Sequence, residues 1–503
     1  MTEMLEKKVT LVILYNYHSF FAKLMSSLLE KKGYDVEVIF FKELYDNSIN
    51  KPTEKEYELL LEHIRKTQPK IVLVSALSSS ISEMTLDVIA KIKSLGVPVA
   101  LGGVASTVNP EDYIEQVDYI CVGEGEYTVL ELLDSIFSGR DANNIKGLWI
   151  NNKGTIIKNS LRTELFDLDE IGLIKVSDEV YIDYDQYEDF KPDTYSTMTS
   201  RGCPFSCTYC TNYFFHTVLY ANNKFKLLRK RKVENVIAEL LYAIKKNPTI
   251  KSIDFHDDDF FIDKNWLEEF SAKYKEKIGL PIIALTTFNF CTEDRLLLFK
   301  KGGGKTLKIG IQSGSERVRK DVYRRAYYSN EKIVSTSKLL KKHKINQLYD
   351  LIVDNPYENE SDMIETLKVI LALKRPFKLS IFSLIYFPKT QLTLKAIEDG
   401  FITEDDVENR KHKSLSSWRS KLENTNSKES SYYLSLYYLV DSILPRILIK
   451  FIWKLNYFKV HQEKLAVSKY VRVTNYIPKF SKTSIYLKRI MRGNVLTQFK
   501  KKT

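Results

Sequence analysis

The sequence predicts an α/β protein with an N-terminal doubly wound parallel sheet, then a partial (β/α)6 barrel, then a mostly helical region. Short apolar runs rich in β-branched residues alternate with helical stretches in two separate series, as parallel strands buried on both faces do. The alternation stops near Phe401. A chain of 503 residues is also too long for one ordinary core. We therefore expect an N-terminal domain at 1–140, a connector at 141–190, the barrel at 191–400 and a helical, basic C-terminal region at 401–503.

The first series contains five candidate strands, with helical stretches at 21–32, 54–66 and 82–94. The strands are VTLVILY (9–15), VEVIFF (36–41), KIVLVSAL (70–77), VPVALGG (97–103) and VDYICVG (117–123). Ligands of such sheets bind outside the carboxyl ends of the strands. We therefore expect a ligand near the segments at 15–20, 75–80, 102–107 and 123–126.

The second series follows a connector that contains one predicted hairpin, LWINNKGTIIKN, turning at Lys153-Gly154. Its six candidate strands are TYSTMTS, IKSIDFHD, IIALTTFNF, KTLKIGIQS, INQLYDLIV and KLSIFSLIYF. Six such strand and helix units form a partial barrel with its site at the strand carboxyl ends.

Residues 432–458 are strongly apolar but are interrupted by Asp441, Pro445 and three basic residues. Charges at this frequency argue against a membrane-spanning helix. We expect two amphipathic helices that pack on the barrel, and attachment to a membrane surface is the alternative.

The composition is that of a soluble globular chain, with 44% hydrophobic and 28% charged residues. The first apolar run is preceded by acids and followed by no small-residue cleavage site, which predicts a buried strand and not a secretory signal. The net charge of +12 leaves open nucleic acid, an anionic membrane, an anionic substrate or a solvated basic tail. The odd number of cysteines predicts a metal site in a reducing compartment, the cytoplasm, and not a disulfide framework.

Three cysteines, Cys203, Cys207 and Cys210, fall within eight residues in SRGCPFSCTYC, directly after the first strand of the second series. Soft thiolate ligands suit zinc or an iron–sulfur cluster. A structural zinc site would need a fourth ligand, and His216 is nearby. A [4Fe-4S] cluster held by three cysteines would instead leave one iron open to bind a substrate.

This cysteine motif and five further segments resemble the cobalamin-dependent branch of the radical S-adenosylmethionine (SAM) superfamily, over roughly residues 195–400. The segments are, in order, LLRKRKVENVIAEL, IDFHDDDFFIDKNWLEEF, IGIQSGSERVRKDVYRR, LIVDNPYENESDMIETL and LIYFPKTQL. The resemblance implies that the cysteines hold a [4Fe-4S] cluster whose open iron binds SAM. It further implies that one electron cleaves SAM to methionine and a 5′-deoxyadenosyl radical, with an external electron donor of the flavodoxin or ferredoxin type.

The same resemblance implies which residues contact SAM. Tyr209 has the position that packs on adenine, and Asp257 and Asp258 have that of the acidic partner of the ammonium group. Gln312 stands where relatives often carry a glutamate that contacts the ribose, and Ser313 follows it. Glutamine still forms hydrogen bonds to hydroxyls but carries no charge.

Residues 1–140 resemble the cobalamin-binding domain that precedes many radical SAM cores, through LGGVASTVNPED and GEGEYTVLELL. The resemblance implies that strand-end residues hold cobalamin, namely Ser75, Ser78, Gly102, Gly103, Gly123 and Glu124. Glycines at a strand end permit close backbone approach to a bulky ligand. The D-x-H-x-x-G motif of methionine-synthase-type carriers is absent, so His18 is either a cobalt ligand or a simple loop histidine. The alternative for the whole domain is a purely structural sheet.

Other residues of interest have simpler interpretations. Cys121 is expected to be an inert buried thiol, and Cys291 is either structural or faces the site. Arg231 and Arg325 match basic positions of the family, with surface ion pairs as the alternative. The GGGKT segment (302–306) is not a phosphate-binding loop, because it precedes a strand and lacks the required upstream glycine.

The leading functional hypothesis is methylation of an unactivated carbon through a 5′-deoxyadenosyl radical and methylcobalamin. The first alternative is a cobalamin-associated radical cyclisation or rearrangement without methyl transfer. A remote alternative is a metal-stabilised module that binds nucleic acid or a membrane. We expect an unidentified substrate as partner and no nucleic acid.

Overall fold

The computed structural model describes residues 7–43, 50–78, 81–175, 179–183, 193–221, 228–325, 328–411, 428–442 and 444–455. The chain forms two compact units. The first unit comprises residues 1–258, 272–280 and 386–416, and the second comprises residues 259–271, 281–385 and 417–503. Parallel strands with helices between them occur in both units.

The first unit contains an eight-stranded sheet that confirms the predicted doubly wound topology. Its strands are β1 (Lys8–Leu14), β2 (Asp35–Phe41), β3 (Ile71–Ala76), β4 (Val99–Gly102), β5 (Tyr119–Cys121), β6 (Leu148–Asn152), β7 (Thr155–Lys158) and β8 (Glu179–Ile182). Their order is β7-β6-β5-β4-β3-β1-β2-β8. The direction of strand addition reverses between β1 and β3, which is where such sheets bind ligands.

Helices cover both faces of this sheet. They are α1 (Phe20–Lys31), α2 (Glu54–Thr67), α3 (Ser82–Lys93), α4 (Val104–Val108) and α5 (Glu126–Ser138). Successive β1 side chains point to opposite faces, so Leu11 joins one apolar core and Val12 joins the other. The first core includes Leu24 of α1, and the second includes Leu60 of α2. A strand buried on both faces explains the unbroken apolar run at 9–15.

The predicted connector supplies strands to both edges of this sheet. The hairpin of β6 and β7 forms as predicted and pairs antiparallel with β5. At the other edge β8 pairs parallel with β2. Lys42 follows β2 and is fully buried, with its Nζ 2.9 Å from Glu56 Oε1 and 2.8 Å from Asp183 Oδ1. Because a buried charge is stable only when it is paired, this ion pair ties the end of β8 to the sheet.

The second series contains the six predicted strands, together with a two-stranded ribbon. The strands are β9 (Thr194–Thr197), β10 (Ser200–Arg201), β11 (Arg229–Lys230), β12 (Ser252–Phe255), β13 (Ile282–Thr286), β14 (Gly304–Gln312), β15 (Asn346–Val353) and β16 (Lys378–Ser383). Strands β10 and β11 form the ribbon. In the first unit β9 and β12 pair in parallel, and in the second unit β13 to β16 pair in parallel in sequence order. GGGKT leads directly into β14, as expected.

Helices separate most of these strands, and two more helices follow β16. They are α6 (Thr211–Phe214), α7 (Val233–Lys246), α8 (Lys264–Lys277), α9 (Glu293–Lys301), α10 (Asn330–Lys342), α11 (Glu360–Ala372), α12 (Gln391–Glu398) and α13 (Glu404–Lys411). Two π-helical turns, Phe215–Leu219 and Val318–Val322, follow α6 and β14. Such turns interrupt regular helices and are frequent at functional sites.

Two helices from the region after residue 401 belong to the second unit, α14 (Lys428–Asp441) and α15 (Arg446–Lys454). Their separation at Pro445 is confirmed, whereas residues 456–458 lie outside the described residues. The Tyr437 hydroxyl donates to the Met363 carbonyl of α11 at 2.9 Å, so α14 packs as predicted. Among the described residues, we find no helix with the length and hydropathy of a membrane span.

Candidate functional site

A cavity of about 350 Å³ lies at the carboxyl ends of β1, β3, β4 and β5 in the first unit. Five of the six residues predicted to hold cobalamin line it, namely Ser75, Gly102, Gly103, Gly123 and Glu124. Ser78 is not among the lining residues. Segments on either side of the cysteines complete the wall with Arg201, Gly202, Asn212, Phe215 and His216, and Asp258 joins them from the loop after β12. The sheet loops and the cysteine region therefore share one cavity.

Two glycines let the backbone form part of this wall. Gly103 has φ of +107°, and a Cβ there would lie 2.4 Å from the Ala76 carbonyl oxygen. Gly123 has φ of +93°, and a Cβ there would lie 2.8 Å from the Tyr220 hydroxyl. A Cβ at Gly102 would meet only Cys121, at an ordinary 3.8 Å. Glycine is thus required at 103 and 123 but not at 102.

The loop after β1 reaches the cavity through Asn16 and Ser19, not through His18. The His18 Nδ1 lies 3.2 Å from the Ser196 hydroxyl of β9. The structure therefore favours a loop histidine over a cobalt ligand at this position.

The three cysteines lie on the loop between β10 and α6. Cys207 is buried, and Cys203, Cys210 and the predicted adenine-packing Tyr209 are half-buried. The Cys210 amide donates to the Cys207 carbonyl at 3.0 Å, which closes a tight turn. Burial raises the pKa of the Cys203 thiol, and the negative charges of Asp258, Cys210 and Cys207 raise it further. Such a cluster of thiolates is stabilised by cationic iron, since metal binding displaces the thiol protons.

His216 does not complete a zinc site. Its Nε2 lies 2.8 Å from the Cys203 carbonyl oxygen, a backbone contact. Within the described residues, no three histidine, cysteine or acidic side chains are grouped so that they could hold a single metal ion. Three cysteines on one short loop, with the histidine turned to the backbone, match the ligand set of an iron–sulfur cluster.

Asp257 and Asp258 follow β12 and have different surroundings. Both oxygens of Asp257 accept hydrogen bonds, from the Thr199 amide at 2.9 Å, the Thr199 hydroxyl at 2.6 Å and the Ser200 hydroxyl. Asp257 thereby fixes the segment that leads into the cysteine loop. Asp258 lines the cavity, with its Oδ2 3.4 Å from Asn212 Nδ2. Burial raises the pKa of Asp258, and the adjacent charge of Asp257 contributes to the increase.

Glu124 joins the N-terminal sheet to the two strands of the ribbon. Its carboxylate pairs with Arg229 of β11 and lies 3.4 Å from Arg201 Nη1 of β10. It also accepts the Phe166 amide at 3.1 Å. Burial alone would raise the pKa of Glu124, but Arg201 and Arg229 hold it below its usual value. Arg201 makes a second contact at 2.7 Å to the buried carboxylate of Glu126.

The predicted ribose contacts, Gln312 and Ser313, lie in the second unit. Gln312 ends β14 at a bulge, with φ of +66°. A Cβ at Gly310 would lie 2.4 Å from Gln312 Nε2, so the amide covers that glycine. The Ser313 hydroxyl is buried and donates to Glu358 Oε1 at 2.7 Å. β-Bulges change the direction of side chains near active sites, and this bulge changes the direction of the Gln312 side chain at the end of β14.

Of the remaining sequence candidates, the two cysteines are buried and the two arginines form contacts within the chain. Cys121 and Cys291 are both buried, and burial raises the pKa of Cys121 to about 12. Arg231 pairs with Glu239 at 2.6 Å with both side chains fully buried, so the surface ion pair considered for it is wrong. Arg325 Nε donates to the Tyr328 hydroxyl at 3.1 Å.

Comparison with protein families identifies both the N-terminal sheet domain and the domain that contains the three cysteines. Residues 6–133 match the family model of the B12 binding domain, and residues 197–370 match that of the radical SAM superfamily. The chain therefore contains the pair of domains found in radical SAM enzymes that carry a B12-binding domain. Its cofactors are accordingly a [4Fe-4S] cluster, SAM and cobalamin, and such enzymes require a reductant and a substrate.

Individual relatives include more than one activity. The chain is 28% identical over 398 residues to an uncharacterized methyltransferase of Pyrococcus horikoshii, covering 78% of this chain and 82% of that protein. It is 24% identical over 280 residues to an anaerobic magnesium-protoporphyrin IX monomethyl ester cyclase of Synechocystis, covering 54% and 53%. Its fold resembles that of the cobalamin-dependent SAM radical enzyme OxsB, with a TM-score of 0.63, 16% identity and coverage of 97% and 79%.

Sequence reasoning missed the ion pairs around Glu124. Arg201 stands in the SRGCP turn and Arg229 in the LLRKRK segment, 77 and 105 positions from Glu124. The only available signal was two acidic residues in GEGE at the end of a buried strand, where a carboxylate needs a cationic partner. That signal indicates a partner without identifying it.

Proposed function

We propose that this chain is a cobalamin-dependent radical SAM methyltransferase that methylates an unactivated carbon. The observation that carries the proposal is the shared cavity, lined by the loops of the B12-binding sheet and by the segments flanking the cysteines. Such a cavity allows one substrate to meet both cofactors. The methyltransferase of Pyrococcus horikoshii, which matches most of this chain, supports the same reaction class.

When bound, SAM at the cluster supplies the radical that abstracts hydrogen, and methylcobalamin supplies the methyl group. The chain binds and orients these groups. Cys203, Cys207 and Cys210 ligate the cluster, and the Gly103 and Gly123 backbones admit the corrin ring. Apolar side chains of the cavity wall exclude water, which protects a reactive radical from side reactions.

We assign the ammonium group of SAM to Asp258, because its carboxylate lines the cavity while both oxygens of Asp257 are engaged elsewhere. Asp257 acts as a positioning residue for the cysteine loop. Tyr209 is proposed to pack on adenine, and Gln312 with Ser313 to approach the ribose. A flavodoxin or ferredoxin type donor and a cytoplasmic setting fit a chain whose function depends on reduced thiolates and an added electron.

Methyl transfer can be tested without the substrate, since remethylation of reduced cobalamin by SAM yields S-adenosylhomocysteine. The protein would be purified anaerobically with cobalamin, reduced with titanium(III) citrate and given SAM with a deuterated methyl group. We expect S-adenosylhomocysteine and the label on the protein-bound corrinoid. Formation of 5′-deoxyadenosine without either product would refute methyl transfer.

Cys203→Ala is the matched control for this experiment. Loss of one cluster ligand should abolish 5′-deoxyadenosine formation, because cleavage of SAM to the radical requires the electron that the cluster delivers.

Radical cyclisation or rearrangement without methyl transfer is the second candidate, favoured by the match to the Synechocystis cyclase. It predicts 5′-deoxyadenosine as the SAM product, with no label on the corrinoid.

A further inference from the structure

The short helix α15 is held in the second unit by one face only. Ile449 is fully buried, and the Arg446 guanidinium donates to the Leu373 carbonyl. The Tyr432 hydroxyl donates to the Trp453 carbonyl at 3.2 Å. These contacts fix the orientation of the helix, so its opposite face is set by the fold.

That opposite face is apolar and exposed. Ile447 is 76% exposed, Leu448 47% and Phe451 61%. Residues 447 and 451 are four positions apart and residues 448 and 451 three apart, so the three side chains form one strip. Lys450 and Lys454, also four apart and both exposed, lie along one edge of it.

This strip is unusual in the described part of the molecule. Nine large hydrophobic residues are exposed there, and three of them lie within this nine-residue helix. The other six are spread over separate elements, namely Leu77, Val218, Leu241, Leu297, Leu394 and Phe401. Single exposed apolar residues are ordinary, whereas a continuous strip marks an interaction surface.

The sequence that follows α15 is strongly basic. Residues 456–503 contain nine lysines and three arginines against one acidic residue, Glu463. The whole chain has a formal net charge of +12, so nearly all of its excess lies in these 48 residues. An apolar strip with a lysine edge, continued by a basic segment, has the composition that binds anionic lipid surfaces.

We propose that α15 attaches this enzyme to an anionic lipid bilayer and lies in the plane of the interface, with the positive charge of the sequence after it adding to the attraction. Ile447, Leu448 and Phe451 enter the apolar layer below the head groups, and Lys450 and Lys454 contact the lipid phosphates. A nucleic acid would satisfy the basic residues but would leave the apolar strip in water. This surface is independent of the proposed methyl transfer.

Vesicle co-sedimentation of the full chain tests the proposal. The vesicles would be of phosphatidylcholine alone, or of phosphatidylcholine with phosphatidylglycerol, at low and at high salt. We expect binding to the anionic vesicles that weakens as salt screens the charges. The double variant Ile447→Asp/Phe451→Asp should bind at least about tenfold more weakly, because it places two charges in the apolar layer.

Leu297→Asp is the matched control, since Leu297 is 49% exposed on α9 and lies outside the strip. It should bind vesicles like the unaltered chain, and circular dichroism and cobalt content should be unchanged in all variants. Equal binding by the double variant would show that charge alone acts and would overturn the role of α15. Binding to duplex DNA without binding to either kind of vesicle would overturn the whole proposal. The absence of binding to both vesicles and DNA would also overturn it, and is the result expected if the chain's own residues 456–503 cover the strip.

Discussion

Both units place loops at the carboxyl ends of parallel strands. These loops leave a cavity in the first unit and pack against a helix in the second. In the first unit, Gly103 and Gly123 leave a cavity beyond β4 and β5. In the second unit, Gly314 follows β14, and its amide donates to Thr366 Oγ1 at 2.8 Å. A Cβ at Gly314 would lie 2.3 Å from the Thr366 Cα of α11. Glycine therefore borders a cavity at the strand ends of the first unit, whereas Gly314 makes room for the packing of a helix.

The comparison shows that a glycine after a parallel strand does not by itself indicate a binding site. The polar groups that surround the glycine determine whether space for a ligand remains beside it. Ser315 and Arg317 both donate to the buried carboxylate of Asp362, so the loop after β14 is closed by its own side chains. The loops after β4 and β5 instead border open space.

The largest effect is expected from Gly103→Ala. The new Cβ would meet the Ala76 carbonyl oxygen at 2.4 Å, and φ of +107° is strained for alanine, so the loop that borders the cavity must shift. We expect cobalt content after anaerobic purification with cobalamin to fall at least about tenfold, as a strain of about 2 kcal/mol implies. Gly102→Ala is the control and should retain cobalt, because its Cβ would lie 3.8 Å from the nearest atom.

A smaller effect, on stability alone, is expected from Gly314→Ala. The added methyl group overlaps the backbone of α11, and such overpacking costs about 1–3 kcal/mol. Hydrogen exchange of the α11 amides should become faster while cobalt content stays the same. Asp321→Ala, at an exposed position of the same unit, should change neither. Loss of cobalt from Gly314→Ala would remove the distinction between the two strand ends.

The smallest effect concerns Glu358, which accepts the Ser313 hydroxyl in the closed loop. Burial raises the pKa of Glu358 from its usual 4.5 to about 7. The unfolded chain therefore ionises first, and the second unit should lose stability as pH rises through the interval from 4.5 to about 7. The full difference in pKa corresponds to about 3 kcal/mol, and solvent screening of the partly exposed side chain reduces the expected loss to about 1–2 kcal/mol. Hydrogen exchange across this range should show the decrease, and Glu358→Gln should flatten it. An unchanged pH profile in the variant would contradict this assignment.

The sequence predicted the strands well because buried parallel strands leave continuous apolar runs, as in 9–15 and 36–41. It predicted the cysteine loop because the chemistry fixes the spacing of the ligands. It did not distinguish the roles of Asp257 and Asp258, because only the fold shows that Thr199 and Ser200 donate hydrogen bonds to the Asp257 carboxylate. The pairing of Glu124 with Arg229, across 105 positions, also depends on tertiary structure that no local pattern encodes.

The placement of β8 determines how the cobalamin-carrying part can be cut from the chain. A fragment that stopped at residue 140 would uncover the outer edges of β2 and β5 and would deprive the buried Lys42 of Asp183. Uncovered edges pair with other chains, and a buried cation that loses a carboxylate is destabilised. A fragment that stays monomeric and folded must therefore continue through Asp183, which makes residues 141–183 an integral part of the domain they follow.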